Sequence, residues 1–165
     1  QVTIGRASDF YGPRVLGSAV GEVIFEPALQ GKTANALGNP DLPHTYTYIK
    51  DFARALVTLS EYAEAFGQAW HVPSAPAIST RAFVDLVAAE VGQPVKLRTA
   101  GKLTLTVLGV FVPEMREFKE MLYEFDEPFV VDHGRYRQQF GNGVTPHAIA
   151  IGETVAWYRQ HLAQD

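Results

Sequence analysis

A chain of 165 residues, 47% of them hydrophobic, can bury one proper core and is too apolar to be mainly disordered. A formal net charge of −4, with Lys and Arg dispersed singly, excludes the basic stripe that nucleic-acid binding requires. The absence of cysteine excludes disulfides, thiol catalysis and thiolate metal sites and fits a reducing cytoplasm, while the longest apolar stretch, Leu103 to Pro113, is too short to span a bilayer.

The chain opens on Val2-Thr3-Ile4, a β-branched run that stops at Arg6-Ala7-Ser8-Asp9-Phe10-Tyr11-Gly12-Pro13. This predicts a buried strand delivering a polar loop closed by a Gly-Pro turn. In open α/β sheets, ligands sit just beyond the carboxyl ends of such strands. A parallel strand needs neighbours, and on one side these are expected from sequence outside these residues. Ser18 to Gln30 predicts a helix that Pro27 kinks or ends early. Thr45 to Ile49 alternates as a short strand, and Asp51 is expected to cap a helix reaching Phe66. Trp70-His71-Val72 predicts a further strand. Ser79 or Thr80 caps a helix that runs to Val91 and stops at Gly92.

Val95 to Arg98 is a predicted strand. Thr104 to Val112 suits helix or strand, and Glu114 to Phe125 suits a helix. Phe129 to Val131 is a short strand-like run. Thr145-Pro146 predicts the start of a last helix ending near Leu162, with a hydroxyl cap and proline in the first turn. Strands alternating with helices imply an α/β fold with parallel pairing.

Four segments carry a family resemblance. They are Arg6-Ala7-Ser8-Asp9-Phe10-Tyr11-Gly12-Pro13, Tyr46-Thr47-Tyr48-Ile49-Lys50-Asp51-Phe52-Ala53-Arg54-Ala55, Gly67 to Pro73 before the Ser79-Thr80 cap, and the tail from Tyr123 through Phe140-Gly141 and Thr145-Pro146 to Trp157. In this order they resemble the C-terminal half of the NAD(P)-dependent epimerase/dehydratase family, the extended short-chain dehydrogenases/reductases. The resemblance implies the last part of a Rossmann-like parallel sheet over residues 1–75. It also implies a mainly helical substrate-binding cap over residues 76–165, with the N-terminal half of the Rossmann fold missing.

The family's glycine-rich cofactor turn is absent here, and its catalytic Tyr-x-x-x-Lys would lie upstream of Gln1. No residue of this chain is therefore assigned a catalytic role. NAD or NADP is expected in the parent protein, with none expected on this chain alone.

On the same resemblance, Ala7, Ser8 and Asp9 flank the nicotinamide. Asp9, Tyr11, His44 and Arg135 are the candidates for contacting a small-molecule substrate, possibly a sugar or nucleotide sugar. Asp9 also reads as an Asx-turn residue. For His44 an exposed loop position is the better expectation. Arg135 and Arg137, beside Tyr136, suit an anionic group or a solvated surface. Arg6 is expected to anchor its loop through carbonyls or Asp51, Gly12 and Pro13 to set the turn, and Asp51 to cap its helix. Trp70 and Trp157 are expected in the core.

Tyr46-Thr47-Tyr48-Ile49-Lys50 spells the catalytic spacing, but on a strand these residues lie roughly 13 Å apart and cannot pair. His71, His133, His147 and His161 share no ligand spacing, so no metal is expected. No Gly-x-Ser-x-Gly elbow suggests a hydrolase. A cut sheet edge predicts self-association or a retained missing half. A non-catalytic dinucleotide-sensing or interaction module of the same fold is the competing reading.

Overall fold

The computed structural model describes residues 1–101 and 122–164. In chain order the first half contains β1 (Ile4–Arg6), β2 (Asp9–Tyr11), α1 (Glu22–Leu29), β3 (Ala34–Leu37), β4 (Pro43–His44), β5 (Tyr46–Tyr48) and α2 (Ile49–Glu61). A 3-10 turn (Ala63–Ala65) leads to β6 (Ala69–His71), β7 (Ile78–Ser79), α3 (Thr80–Val91) and β8 (Leu97–Ala100). Beyond the undescribed segment come α4 (Tyr123–Asp126), α5 (Gly134–Phe140) and α6 (His147–Leu162). The expectations for Thr104 to Val112, and most of that for Glu114 to Phe125, lie outside the described residues.

The parallel character expected from the alternation of strands and helices is present. β1 runs parallel to β6 with Ile4 opposite Ala69, β2 to β5 with Asp9 opposite Tyr46, and β3 to β8 with Ala34 opposite Leu97. A short antiparallel pair, β4 with β7, joins Pro43 to Ser79. β1 and β2 are successive parts of one extended run that changes partner at Ala7 and Ser8.

Two apolar clusters hold these pieces. The larger packs Tyr11, Ile24, Phe25, Phe83, Val87, Ile151 and Tyr158, so α1, α3 and α6 meet against the end of β2. Its aromatic rings meet edge-on, as Tyr11 and Phe83 do at 5.0 Å between centroids, or stacked, as Phe25 and Tyr158 do at 5.4 Å. The smaller cluster joins Leu59 of α2, Trp70 and Val72 near β6, and Tyr136 of α5. Trp70 is buried as expected, and Trp157 packs partly buried against the larger cluster.

Several local readings are corrected. The opening strand is not buried: Val2 is 71% and Ile4 51% exposed. Among the described residues β1 pairs with β6 alone, which leaves those side chains without a covering layer. α1 carries Pro27 in its interior and still extends to Leu29, its end closed by Lys32 N–H donating to the Pro27 carbonyl at 2.8 Å. Asp51 is not the cap of its helix. Tyr48 holds the N-cap position, and α2 stops at Glu61 rather than Phe66.

Asp51 instead sits in the first turn of α2, 2% exposed, and accepts from Thr145 N–H and Thr145 Oγ1, both at 2.7 Å, and from Arg54. The Thr145 hydroxyl is thereby consumed by α2, and Pro146 is the N-cap of α6. Ser79 caps α3 as expected, accepting from Ala82 N–H at 3.1 Å, and Gly92 ends it at φ +83°.

Candidate functional site

A cavity of about 750 Å³ opens just beyond the carboxyl end of β1. Ala7, Ser8, Asp9 and Phe10 form one wall; Glu22 and Val23 of α1, Asn35 to Leu37 of β3, and Phe125 and Phe129 close the others. The position follows from topology, because the run changes strand partner at Ala7 and Ser8 and the sheet opens there.

The wall is pinned from behind. Ser8 Oγ donates to the Thr45 carbonyl at 2.5 Å, and Ser8 N–H donates to Thr47 Oγ1 at 3.3 Å. Thr47 Oγ1 also meets Ser74 Oγ at 3.1 Å. These neutral bonds fix the main chain where a ligand would approach and leave the cavity side of Ala7 without a bulky side chain.

Asp9 supplies the carboxylate of the cavity. His44 Nε2 donates to its Oδ2 at 2.7 Å, with 26% of the Asp9 side chain exposed. His44 is only 4% exposed, so the expected loop histidine is instead a buried one. Its ring is clamped in an aromatic stack, with centroids 4.8 Å from Tyr46, 5.3 Å from Phe125 and 5.1 Å from Phe129. Burial of the imidazole behind the carboxylate orients Asp9 and leaves acceptor capacity facing the cavity. Glu22 and Glu124 add two further carboxylates to the lining.

The other candidates part company. Tyr11 is fully buried in the larger cluster, where its hydroxyl meets His147 Nδ1 at 3.0 Å. Burial, with Asp51 and Tyr48 nearby, pushes its phenol pKa well above the ordinary value. Tyr11 therefore packs the core and does not line the cavity. His147 Nε2 bonds the Pro76 carbonyl at 2.9 Å, and burial lowers its pKa, partly offset by that bond. Gly12 has φ +137°, and a Cβ there would come within 2.5 Å of Ile49, so the turn demands glycine.

Arg135 and Arg6 line a second, smaller cleft that shares no residue with the first. Arg6 does not reach Asp51, whose oxygens are taken by Thr145 and Arg54. Within the Tyr-x-x-x-Lys decoy, the Tyr46 hydroxyl bonds Thr80 Oγ1 at 2.8 Å, and burial pushes its pKa up to about 12. Lys50 is committed to Glu153 at 2.5 Å. A phenol raised in this way, with its lysine turned elsewhere, is the opposite of an activated one. Among the described residues no group of three His, Asp or Glu side chains is arranged to hold a metal.

Sequence reasoning missed Glu22, Glu124, Phe125 and Phe129. Phe125 and Phe129 lie in the tail segment that carried part of the resemblance, yet no local pattern marks either ring as facing Asp9, more than a hundred residues earlier.

No family model and no curated protein matches the sequence. Solved structures do match the fold. WbmH of Bordetella bronchiseptica in complex with NAD+ is 20% identical, with a TM-score of 0.66 over 95% of this chain and 45% of that one. UDP-glucuronic acid 4-epimerase of Bacillus cereus in complex with NAD is 14% identical, with a TM-score of 0.74 over 99% and 45%. DesIV of Streptomyces venezuelae, a dTDP-glucose 4,6-dehydratase with NAD and TYD bound, is 17% identical, with a TM-score of 0.72 over 98% and 44%. The chain thus has the Rossmann-like fold of part of these NAD-bound structures and spans slightly under half of each.

Proposed function

We propose that this chain is the substrate-side part of an NAD(P)-dependent epimerase, dehydratase or reductase acting on a hydroxyl-bearing small molecule of the sugar or nucleotide-sugar class. The observation that carries the reading is the Ala7–Phe10 wall at the open end of β1, with Asp9 held by buried His44 against a 750 Å³ cavity. The dinucleotide is held mainly by sequence outside these 165 residues, with Ala7, Ser8 and Asp9 beside the nicotinamide. NAD or NADP would supply hydride transfer when bound.

This chain's own residues do the rest. Asp9 accepts a hydrogen bond from a substrate hydroxyl, and His44 keeps that carboxylate in one orientation so that little ordering is left to binding. Phe10, Phe125 and Phe129 offer apolar rings against which a sugar face can pack and exclude water. A reducing cytoplasm suits the cysteine-free chain.

The test uses the complete polypeptide that contains this chain. Dinucleotide released by acid is measured together with turnover of UDP- and dTDP-sugars, and bound NAD(P) with conversion of at least one hydroxylated substrate is expected. Absence of both overturns the reading. Bound dinucleotide without turnover of any such substrate favours the dinucleotide-sensing module instead. The isolated 165-residue chain is expected to give no saturable heat with NAD(H) or NADP(H).

A further inference from the structure

A second cleft, of about 220 Å³, shares no lining residue with the large cavity. It is lined by Arg6, Trp70, His71, Asp132, His133 and Arg135. Its origin is topological. Arg6 and His71 are register partners at the carboxyl ends of the parallel strands β1 and β6, so their side chains leave the same face side by side. The Asp132-His133 turn and the start of α5 then lie across those strand ends, with His71 Nδ1 bonded to the Asp132 carbonyl at 3.0 Å.

The lining has the chemistry of an anion receptor. Arg135 is already ordered: its guanidinium carbon lies 4.0 Å from the centroid of the buried Trp70 ring, which presents the planar donors without a further loss of side-chain freedom. Because His71 Nδ1 faces a carbonyl oxygen, that nitrogen carries the proton. The one carboxylate of the cleft, Asp132, is partly satisfied internally, its Oδ1 accepting from Gly134 N–H at 2.7 Å.

His133 Nδ1 is without a hydrogen-bond partner among the described residues, but it has no accessible surface and so is out of reach of a ligand in the open cleft; the two guanidinium groups are what remains available. Two guanidinium groups against one partly satisfied carboxylate leave the cleft with an excess of donors over acceptors.

We propose that this cleft binds a phosphate-class oxyanion, bridging Arg6 and Arg135. The inference is independent of the reading given to the large cavity, since the two sites share no lining residue.

The experiment titrates inorganic phosphate into the complete polypeptide at constant ionic strength, followed by calorimetry and by the 15N resonances of the Arg135 guanidinium. Saturable binding that moves the Arg135 Nε resonance is expected. Arg135→Gln is expected to weaken it about tenfold or more, the loss of a charge-assisted hydrogen bond. Arg6→Gln is the second variant, at an exposed strand end where folding is not at stake, and is expected to weaken binding similarly. Repeating the titration with glycerol phosphate separates the sources: tighter binding than inorganic phosphate assigns a phosphorylated metabolite, and equal or weaker binding assigns the free ion. Failure of both compounds to perturb Arg135, or wild-type affinity in both variants, overturns the proposal.

Discussion

Asp9 and Asp51 stand at comparable places, each within a residue or three of a strand end, yet their surroundings differ. Asp51 is surrounded by donors: Thr145 N–H, Thr145 Oγ1 and Arg54 occupy both of its oxygens, and it ties the start of α2 to the start of α6. Asp9 has His44 on one oxygen and a cavity in front of the other. The difference lies in how the acceptor capacity of a carboxylate is used. Fully consumed, it holds helices together; half consumed and held still, it is available to a ligand.

The comparison is broken most directly at Asp51. Asp51→Ala removes three bonds and strands Thr145 N–H, so a loss of roughly 3 kcal/mol in chemical denaturation is expected. A loss near zero would mean that the contact between α2 and α6 is held by packing alone. Next comes Tyr11→Phe, which leaves the buried His147 Nδ1 without its partner and is expected to cost about 1–2 kcal/mol while leaving ligand affinity at the large cavity unchanged.

Asp9→Ala sharpens the contrast from the other side. Stability is expected to change by less than about 1 kcal/mol, while KM for the hydroxylated substrate proposed for the complete polypeptide rises about tenfold. A stability loss as large as that of Asp51→Ala would make Asp9 a structural group.

The smallest expected effect is a pH dependence seated at His147. Burial lowers its folded-state pKa below the ordinary 6.5, so below that value the unfolded chain binds the proton more readily than the folded one. Stability from this group is therefore complete above pH 6.5. It declines as pH falls from there to the depressed folded value, and is constant below it. Thermal melts across that window should show a shallower decline in His147→Gln than in the unsubstituted chain.

Much of the frame was legible beforehand. Ser79 and Gly92 bracket α3 because a hydroxyl cap and a left-handed stop are local chemistry, readable within four residues. The parallel class followed from alternation of strand and helix patterns. The polar loop expected from Arg6 to Pro13 is shorter than the local pattern suggests: Arg6 ends β1, and Asp9 to Tyr11 form β2 because Tyr46 to Tyr48 supply a parallel partner that no local signal announces. Asp51 and Thr145 were misjudged for a common reason. Each is a good cap by local rules, yet each donor and acceptor found its partner in the other, 94 residues away. His44 was underrated because burial of a loop residue depends on Tyr46, Phe125 and Phe129 converging on it.

Composition and periodicity by themselves determined that this chain forms an α/β core without thiols or a basic binding face. Those properties reside in single residues and short spacings. Only the tertiary structure decided which aspartate is a tie and which faces a cavity, that Tyr11 belongs to the core, and that Arg6, His133 and Arg135 share a cleft. Hydrogen-bond partners and desolvation are set by distance in space, and chain separation carries no record of them.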